Sequence, residues 1–142
     1  MSSAIRVKND AAELEKLGTW LRAFAEAHGL FEADIHAVEL VLEELLLNVI
    51  AHGHEDDCEH FIAMRLSAVG ADLQIEVEDD GRAFDPTDAP LPDLDASVET
   101  RTVGGLGLHL VCSFVDELSY CRSGERNLLT LVKRGVIRRQ AS

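Results

Sequence analysis

Residues 41–53, with the sequence VLEELLLNVIAHG, are apolar around almost the whole circumference of a helix. A helix with this pattern is buried on most of its surface, so the segment constrains the fold strongly. Glu44 and Asn48 lie four residues apart within it and therefore project from the same face, one turn above the other. A carboxylate on a buried helix is costly unless another group compensates its charge.

Two interpretations of this polar pair stay open at this point. In the first, a polar stripe of the helix meets solvent, and Asn48 lies near the C-terminal end of the helix. In the second, the pair has a chemical function, because a carboxylate and an amide oxygen are ligands that a hard cation such as Mg²⁺ accepts. A glutamate held out of bulk water is also suited to act as a general base.

Two glycine-containing turns further along the chain favour the functional interpretation. An alternating, strand-like run ends in the acidic turn of residues 77–86, VEDDGRAFDP. Residues 103–111, VGGLGLHLV, form a glycine-rich turn that opens an apolar helix. Backbone amides at a helix N-terminus bind anions, and glycines let a phosphate approach closely. A glycine-rich turn alone is a weak signal, whereas the three segments in this order are a much stronger one.

Length and charge limit the classes of protein to which the chain can belong. Its 142 residues are enough for one domain with its own core, so we expect residues 1–142 to form a single domain. The formal net charge of −13 argues against binding to nucleic acid or to an anionic membrane, because either would repel it. The N-terminus lacks the apolar core of a signal peptide, and no apolar run approaches the ~18 residues of a membrane span. Three cysteines without a CxxC pair indicate reduced thiols, which predicts a cytoplasmic protein.

The apolar periodicity predicts three helices and five strands. The helices are predicted over residues 10–28, 32–52 and 107–116, and the strands over 4–8, 61–69, 73–78, 118–122 and 127–133. The polar segment 85–102 contains three prolines and no sustained periodicity, which suggests a functional lid or disorder. The basic tail, residues 135–142, is predicted to fray. Helices then cluster on one face of a mixed, mostly antiparallel sheet, which is an α+β fold of the two-layer sandwich type.

The three segments resemble the N, G1 and G2 boxes of the GHKL ATPase superfamily in both order and spacing. The N box is ELLLN at residues 44–48, the G1 box is DDGRA at 79–83, and the G2 box is GLGL at 105–108. Within the superfamily, the short chain is most similar to the bacterial anti-sigma factor serine/threonine kinases of partner-switching systems. The resemblance implies the GHKL, or Bergerat, ATP-binding fold, which agrees with the fold class that the periodicity predicts.

The resemblance implies a role for each residue that matches a box. Asn48 would hold Mg²⁺, which bridges the phosphates of ATP, and Glu44 would act as general base on the attacking hydroxyl of a protein serine or threonine. Asp79 would accept a hydrogen bond from the adenine amino group, and Gly81 would let the backbone approach the nucleotide closely. The expected cofactors are therefore ATP and Mg²⁺.

Further cofactor-binding positions are carried over from the same resemblance. Ala83 stands where the superfamily pattern DxGxG has its second glycine, and it costs about 1 kcal/mol if the backbone there needs a positive φ. Asn127 lies on the last strand, near the position where the superfamily often has a threonine in the adenine pocket. Gly105 and Gly107 of the glycine-rich turn would line the phosphates. The other expected cofactor-binding positions of this turn are Gly104, which would add flexibility, Leu106, and Leu108, which would begin the following helix.

The resemblance implies an ATP-dependent kinase that phosphorylates an anti-sigma factor antagonist of the STAS type and sequesters a sigma factor or a similar regulator. Family members are often homodimers, so a homodimer is a further expectation. The alternative is a nucleotide-dependent partner-binding module without significant kinase activity. Glu44 favours the kinase, because a binding module does not need a base beside Mg²⁺, whereas Ala83 slightly favours the module.

Overall fold

The helices and strands follow the apolar periodicity of the sequence in the structure, which is a computed structural model and describes residues 2–52, 60–82 and 111–138. The strands in these segments are β1 (Ser2–Lys8), β2 (Phe61–Val69), β3 (Asp72–Asp79), β4 (Glu117–Ser123) and β5 (Arg126–Lys133). The helices are a short 3-10 turn (Ala11–Glu13), α1 (Leu14–His28) and α2 (Glu32–His52).

The strands form one sheet in the order β1-β2-β3-β5-β4, and each pairing between these strands is antiparallel. Along β3, Leu73, Ile75 and Val77 are buried while the residues between them are half-buried, so one face of the sheet is covered. The buried side chains of strands and helices form a single hydrophobic core. This arrangement confirms the α+β two-layer sandwich, with the helices on one face of the sheet.

Helix α1 is bounded by capping residues that the sequence contains. The Asp10 side chain accepts a hydrogen bond from Ala12 N at 2.9 Å and opens the 3-10 turn that leads into the helix. At the other end, Gly29 has φ 77° and donates its N–H to Ala25 O at 2.9 Å. Glycine adopts this left-handed conformation without the penalty that a Cβ brings, which ends α1 and redirects the chain into α2.

Helix α2 is buried on more than one side, as its apolar sequence predicts. Val38, Leu42 and Leu45 are at most 2% exposed, and Val41 and Leu46 beside them are also buried. Burying side chains of this size contributes about 1.5–3 kcal/mol each, so the helix is held firmly against the sheet. Neither α2 nor any other helix in the described segments is long and apolar enough to cross a membrane.

The end of the chain differs from the frayed tail predicted for residues 135–142. Val136 and Ile137 are only 2% and 4% exposed. Phe31 N donates to Val136 O at 2.8 Å, and Ile137 N donates to Ala71 O at 3.0 Å. These bonds tie the segment to the start of α2 and to the β2–β3 turn. Local basic composition does not reveal such long-range bonds, and the last four residues lie outside the described part.

Of the helix predicted over residues 107–116, only the end falls in the described part. Residues 111–114 are helical, and Val115 N donates to Val111 O at 3.0 Å. Asp116 N donates instead to Val132 O on β5, at 2.8 Å. The helix therefore ends before Asp116, because the backbone there has already joined the sheet.

Candidate functional site

Asp79 is the last residue of β3 and lies on the face of the sheet that the helices cover. The two-residue alternation runs from Ile75 through Val77 to Asp79, which is 7% exposed. The strand register pairs Asp79 with Asn127 of β5, and Asn127 is 6% exposed. Two buried polar side chains therefore lie side by side at the edge of the hydrophobic core.

The Asp79 carboxylate is held through one of its two oxygens. Its Oδ1 accepts a hydrogen bond from Gly81 N at 2.8 Å and another from Asn127 Nδ2 at 3.1 Å. The bond from Gly81 closes a local turn of the kind that aspartate favours, and it directs the chain away from the end of β3. Within the described segments, both hydrogen bonds to this carboxylate end on Oδ1, which leaves Oδ2 for a ligand.

Two residues of β4 that the sequence analysis did not single out belong to the same cluster. Asn127 Oδ1 accepts a hydrogen bond from Arg122 Nη1 at 2.9 Å and a short one from Tyr120 Oη. Register pairs Arg122 with Asn127, and alternation places Tyr120 on the same face two residues earlier. The tight turn at residues 123–125 together with this alternation is the sequence signal that could have identified both.

The amide of Asn127 also binds the backbone that follows β3. Its Nδ2 donates to Gly81 O at 3.2 Å and to Arg82 O at 2.9 Å, and Arg122 Nη1 donates to Gly81 O at 3.0 Å. The β4–β5 hairpin therefore holds the first residues of the predicted G1 box in a fixed conformation. Of the predicted site residues, the structure brings together Asp79, Gly81 and Asn127.

The other predicted pair lies on α2, in the layer of helices. Glu44 is half-buried and Asn48 is 8% exposed, one turn further along the same face. Asn48 Oδ1 is buried and accepts no hydrogen bond from the part of the chain that the structure describes. A buried amide oxygen without a donor costs about 1–3 kcal/mol, so such an atom calls for an explanation.

The chemistry of this pair fits a hard divalent cation. Such a cation binds carboxylate and amide oxygens, and Asn48 Oδ1 has a lone pair that the described residues leave unused. Occupation by a cation would remove the cost of the unsatisfied oxygen. The groups that could hold Mg²⁺ are therefore Asn48 itself and the phosphates of a bound nucleotide.

Several predicted site residues lie outside the described segments, and so does the predicted lid, residues 85–102. Their roles stay predictions. These residues are Ala83, Gly104, Gly105, Leu106, Gly107 and Leu108.

Comparison with known proteins supports the fold from a separate direction. A family model described as the histidine kinase-like ATPase domain matches residues 7–133. The serine/threonine-protein kinase BtrW of Bordetella bronchiseptica is 34% identical over 92 residues, 65% of this chain and 65% of the relative. The serine-protein kinase RsbW of Bacillus subtilis is 27% identical over 103 residues, 69% of this chain and 64% of the relative. The chain thus spans somewhat less than two thirds of the length of these relatives.

Solved structures show the same fold at low sequence identity. The structure of the RsbU and RsbW domains of a Mycobacterium tuberculosis protein has a TM-score of 0.64 and 17% identity, covering 99% of this chain and 33% of that chain. A blue-light activated histidine kinase from Erythrobacter litoralis has a TM-score of 0.54 and 17% identity, covering 89% of this chain and 42% of that chain. An ATPase domain implies nucleotide binding. Because the family model matches almost the whole chain, this protein belongs to the histidine kinase-like ATPase domain family.

Proposed function

We propose that the chain is an ATP-dependent protein serine/threonine kinase that phosphorylates an anti-sigma factor antagonist and sequesters a sigma factor or a similar regulator. The observation that carries this proposal is the pair on α2: a half-buried carboxylate, Glu44, one turn from Asn48, whose buried Oδ1 has no donor in the described segments. The names of the kinase relatives BtrW and RsbW support it.

Asn48 is the residue that would hold Mg²⁺ between the protein and the phosphates. When bound, Mg²⁺ neutralises the charge that develops on the phosphate oxygens during transfer. The burial of Asn48 keeps its Oδ1 at a fixed position on a rigid helix, so the geometry of the site does not depend on a mobile side chain.

Glu44 would take the proton of the attacking hydroxyl. The oxygen of a serine or threonine side chain bonds to the γ-phosphorus, the bond from the γ-phosphorus to the bridging oxygen breaks, and ADP leaves. The hydroxyl proton passes to the carboxylate of Glu44. The half-buried position leaves this carboxylate accessible to a substrate side chain while reducing its contact with water.

Asp79 would recognise the adenine base at the other end of the site. Its Oδ2 is the oxygen that the described residues leave without a hydrogen-bond donor, and the adenine 6-amino group is a donor. Gly81 lies beside this carboxylate, so the backbone can approach the base without a side chain between them.

The proposed partners are a STAS-type antagonist, which supplies the serine or threonine, and a sigma factor or similar regulator. The formal net charge of −13 favours a partner with a basic surface, because opposite charges speed association. A homodimer is the proposed assembly.

A magnesium-dependent ATP titration tests the nucleotide part of the proposal. Wild-type chain should bind ATP in the presence of Mg²⁺, and Asp79→Asn should weaken binding by at least about tenfold, because it removes the charged acceptor. Glu76→Gln is the matched control, since residue 76 lies on the same strand but on the opposite face of the sheet. Equal ATP affinity of wild type and Asp79→Asn would contradict the proposed role of Asp79 in binding the adenine base.

A transfer assay with labelled ATP then tests the kinase activity. The chain is incubated with purified STAS-domain antagonists from the same organism, and phosphate on serine or threonine is measured by mass spectrometry. Incorporation that depends on the chain and on Mg²⁺ is expected. Tight ATP binding without transfer to any antagonist would support the alternative, a nucleotide-dependent binding module.

A further inference from the structure

We infer that Tyr120 and Arg122 act through Asn127 as positioning residues for Asp79, and that together they set a preference for 6-amino over 6-oxo purine nucleotides. This inference rests on the proposed function, because it assumes that Asp79 reads the base. It adds two residues of β4, Tyr120 and Arg122, to the proposed site, and it gives these two and Asn127 an indirect role.

The neighbours of the Asn127 amide determine its orientation. Two donors, Arg122 Nη1 at 2.9 Å and Tyr120 Oη, surround one end of the amide. Three acceptors surround the other end: Asp79 Oδ1 and the carbonyl oxygens of Gly81 and Arg82. A flipped amide would turn its oxygen toward three acceptors, so only one orientation is compatible with the cluster.

The Asn127 amide has no hydrogen-bonding capacity left for a ligand. An amide nitrogen has two protons and its oxygen has two lone pairs. In Asn127 both protons are shared among three protein acceptors, and both lone pairs are used by Arg122 and Tyr120. Asn127 therefore has nothing to offer a nucleotide directly. Its role follows from the bond that it donates to Asp79.

The hydrogen bond from Asn127 to Asp79 affects which purine base the site accepts. Asp79 is 7% exposed, so its carboxylate needs donors from the protein to compensate the loss of water. Asn127 and Gly81 N supply them on Oδ1 alone, which fixes the plane of the carboxylate and aims Oδ2 as a pure acceptor. A 6-amino group donates to such an oxygen, whereas a 6-oxo group is another acceptor and is repelled.

Tyr120 and Arg122 matter because they hold the amide that holds the carboxylate. Without the Tyr120 hydroxyl, one lone pair of Asn127 Oδ1 loses its donor, and the amide gains freedom to tilt away from Asp79. The orientation of Oδ2 would then be less well defined. The expected consequence is a smaller difference between 6-amino and 6-oxo nucleotides, rather than a uniform loss of binding.

The test compares ATP with inosine triphosphate, which has a 6-oxo group in place of the 6-amino group and a proton on N1. Both dissociation constants are measured with Mg²⁺ for wild type, Tyr120→Phe and Asn127→Asp, and each variant is checked for folding by thermal melting. Cys121→Ser is the matched control, because Cys121 lies between Tyr120 and Arg122 on β4 but on the opposite face, where it is exposed.

Wild type should prefer ATP by at least about tenfold, and Tyr120→Phe should weaken ATP binding by roughly threefold to tenfold while changing inosine triphosphate binding less than twofold. Asn127→Asp, which replaces the donor to Asp79 with an acceptor of similar size, should abolish the preference. Cys121→Ser should match wild type in both constants.

Two different failures can be told apart. If wild type prefers ATP and Tyr120→Phe keeps the same ratio of the two constants, the positioning role is wrong while the proposed function stands. A folded Asn127→Asp variant that prefers ATP over inosine triphosphate as strongly as wild type would likewise contradict the positioning role alone. If wild type binds neither nucleotide, the proposed function fails, and the inference fails with it.

Discussion

Two buried asparagines of this chain have opposite hydrogen-bonding states. Asn127, 6% exposed, is bonded at both ends of its amide, whereas the Oδ1 atom of Asn48, 8% exposed, has no donor in the described segments. A satisfied buried amide stabilises a fold, and an unsatisfied one destabilises it. The Asn48 position is therefore one at which the chain gives up stability, as residues that bind ligands often do.

This contrast predicts opposite effects of the same substitution on the free energy of unfolding without nucleotide. Asn48→Ala should raise it by about 1 kcal/mol, because the substitution removes an unsatisfied oxygen and places a better helix former in α2. Asn127→Ala should lower it by about 1–3 kcal/mol, because it leaves Asp79 Oδ1 with one donor fewer. Urea unfolding in EDTA measures both values. Equal destabilisation by the two variants would contradict the unsatisfied state of Asn48.

Glu44 gives a second prediction at the level of a single residue. Glu44→Gln should keep ATP binding and lose transfer by about 10²–10⁴-fold, because the amide fills the same space but cannot accept the hydroxyl proton. Single-turnover transfer from labelled ATP to the antagonist measures this. Glu43→Gln is the matched control. Glu43 is also half-buried, but as the preceding residue of α2 its side chain points in a different direction from that of Glu44. Transfer by Glu44→Gln at the wild-type rate would exclude the base role.

At the level of elements, the sequence predicted what depends on local periodicity. The bounds of α2 and β2 follow from apolar spacing and from residues such as Gly29, which ends α1. Contacts between elements could not be predicted from the sequence in the same way. Tyr120 and Arg122 become part of the site only through the register of β4 with β5, and Val136 and Ile137 only through bonds to distant backbone groups. Register and long-range bonds depend on the packed fold, which local pattern does not specify.

Asp116, which immediately precedes β4, contacts the turn that follows β5, and the pKa of its carboxyl is lowered. Asp116 Oδ2 accepts a hydrogen bond from Arg134 N at 2.7 Å and lies 3.8 Å from Lys133 Nζ. The backbone bond from Arg134, followed by the positive charges of Lys133 and Arg134, holds the pKa of Asp116 below its ordinary value. The charged form is therefore the one that the folded turn favours.

A lowered pKa in the folded state fixes the sign of the pH dependence. Asp116 contributes stability above its unfolded pKa of about 3.9, and this contribution is lost as the pH falls through the folded pKa. Asp116→Asn should therefore lower the free energy of unfolding at pH 7 relative to wild type, and the difference should shrink as the pH falls below about 4. Urea titrations across pH 2.5–7 measure the difference. A gap that widens toward low pH would contradict this role.

At the level of the whole molecule, the elements that carry the site also carry the core. Helix α2 contributes Leu42 and Leu45 to the core and carries Glu44 and Asn48 of the proposed site. Strand β3 likewise contributes Ile75 and Val77 to the core and carries Asp79 of the proposed site. Because these elements supply core side chains, we expect them to open only when the domain unfolds. Nucleotide binding should therefore be coupled to global stability rather than to a local opening.

The coupling has a predictable size. A ligand that binds only the folded state at 100 times its dissociation constant adds about 2.7 kcal/mol to the free energy of unfolding. For a domain of this length, that corresponds to a rise of roughly 5–10 °C in the melting temperature. Melting of wild type with ATP and Mg²⁺, each well above its measured dissociation constant, should show this rise. Asn48→Ala at the same concentrations should lose the part of the rise that depends on Mg²⁺, because the substitution removes the oxygen that would hold the metal. An equal magnesium-dependent rise in both proteins would mean that the metal is held elsewhere.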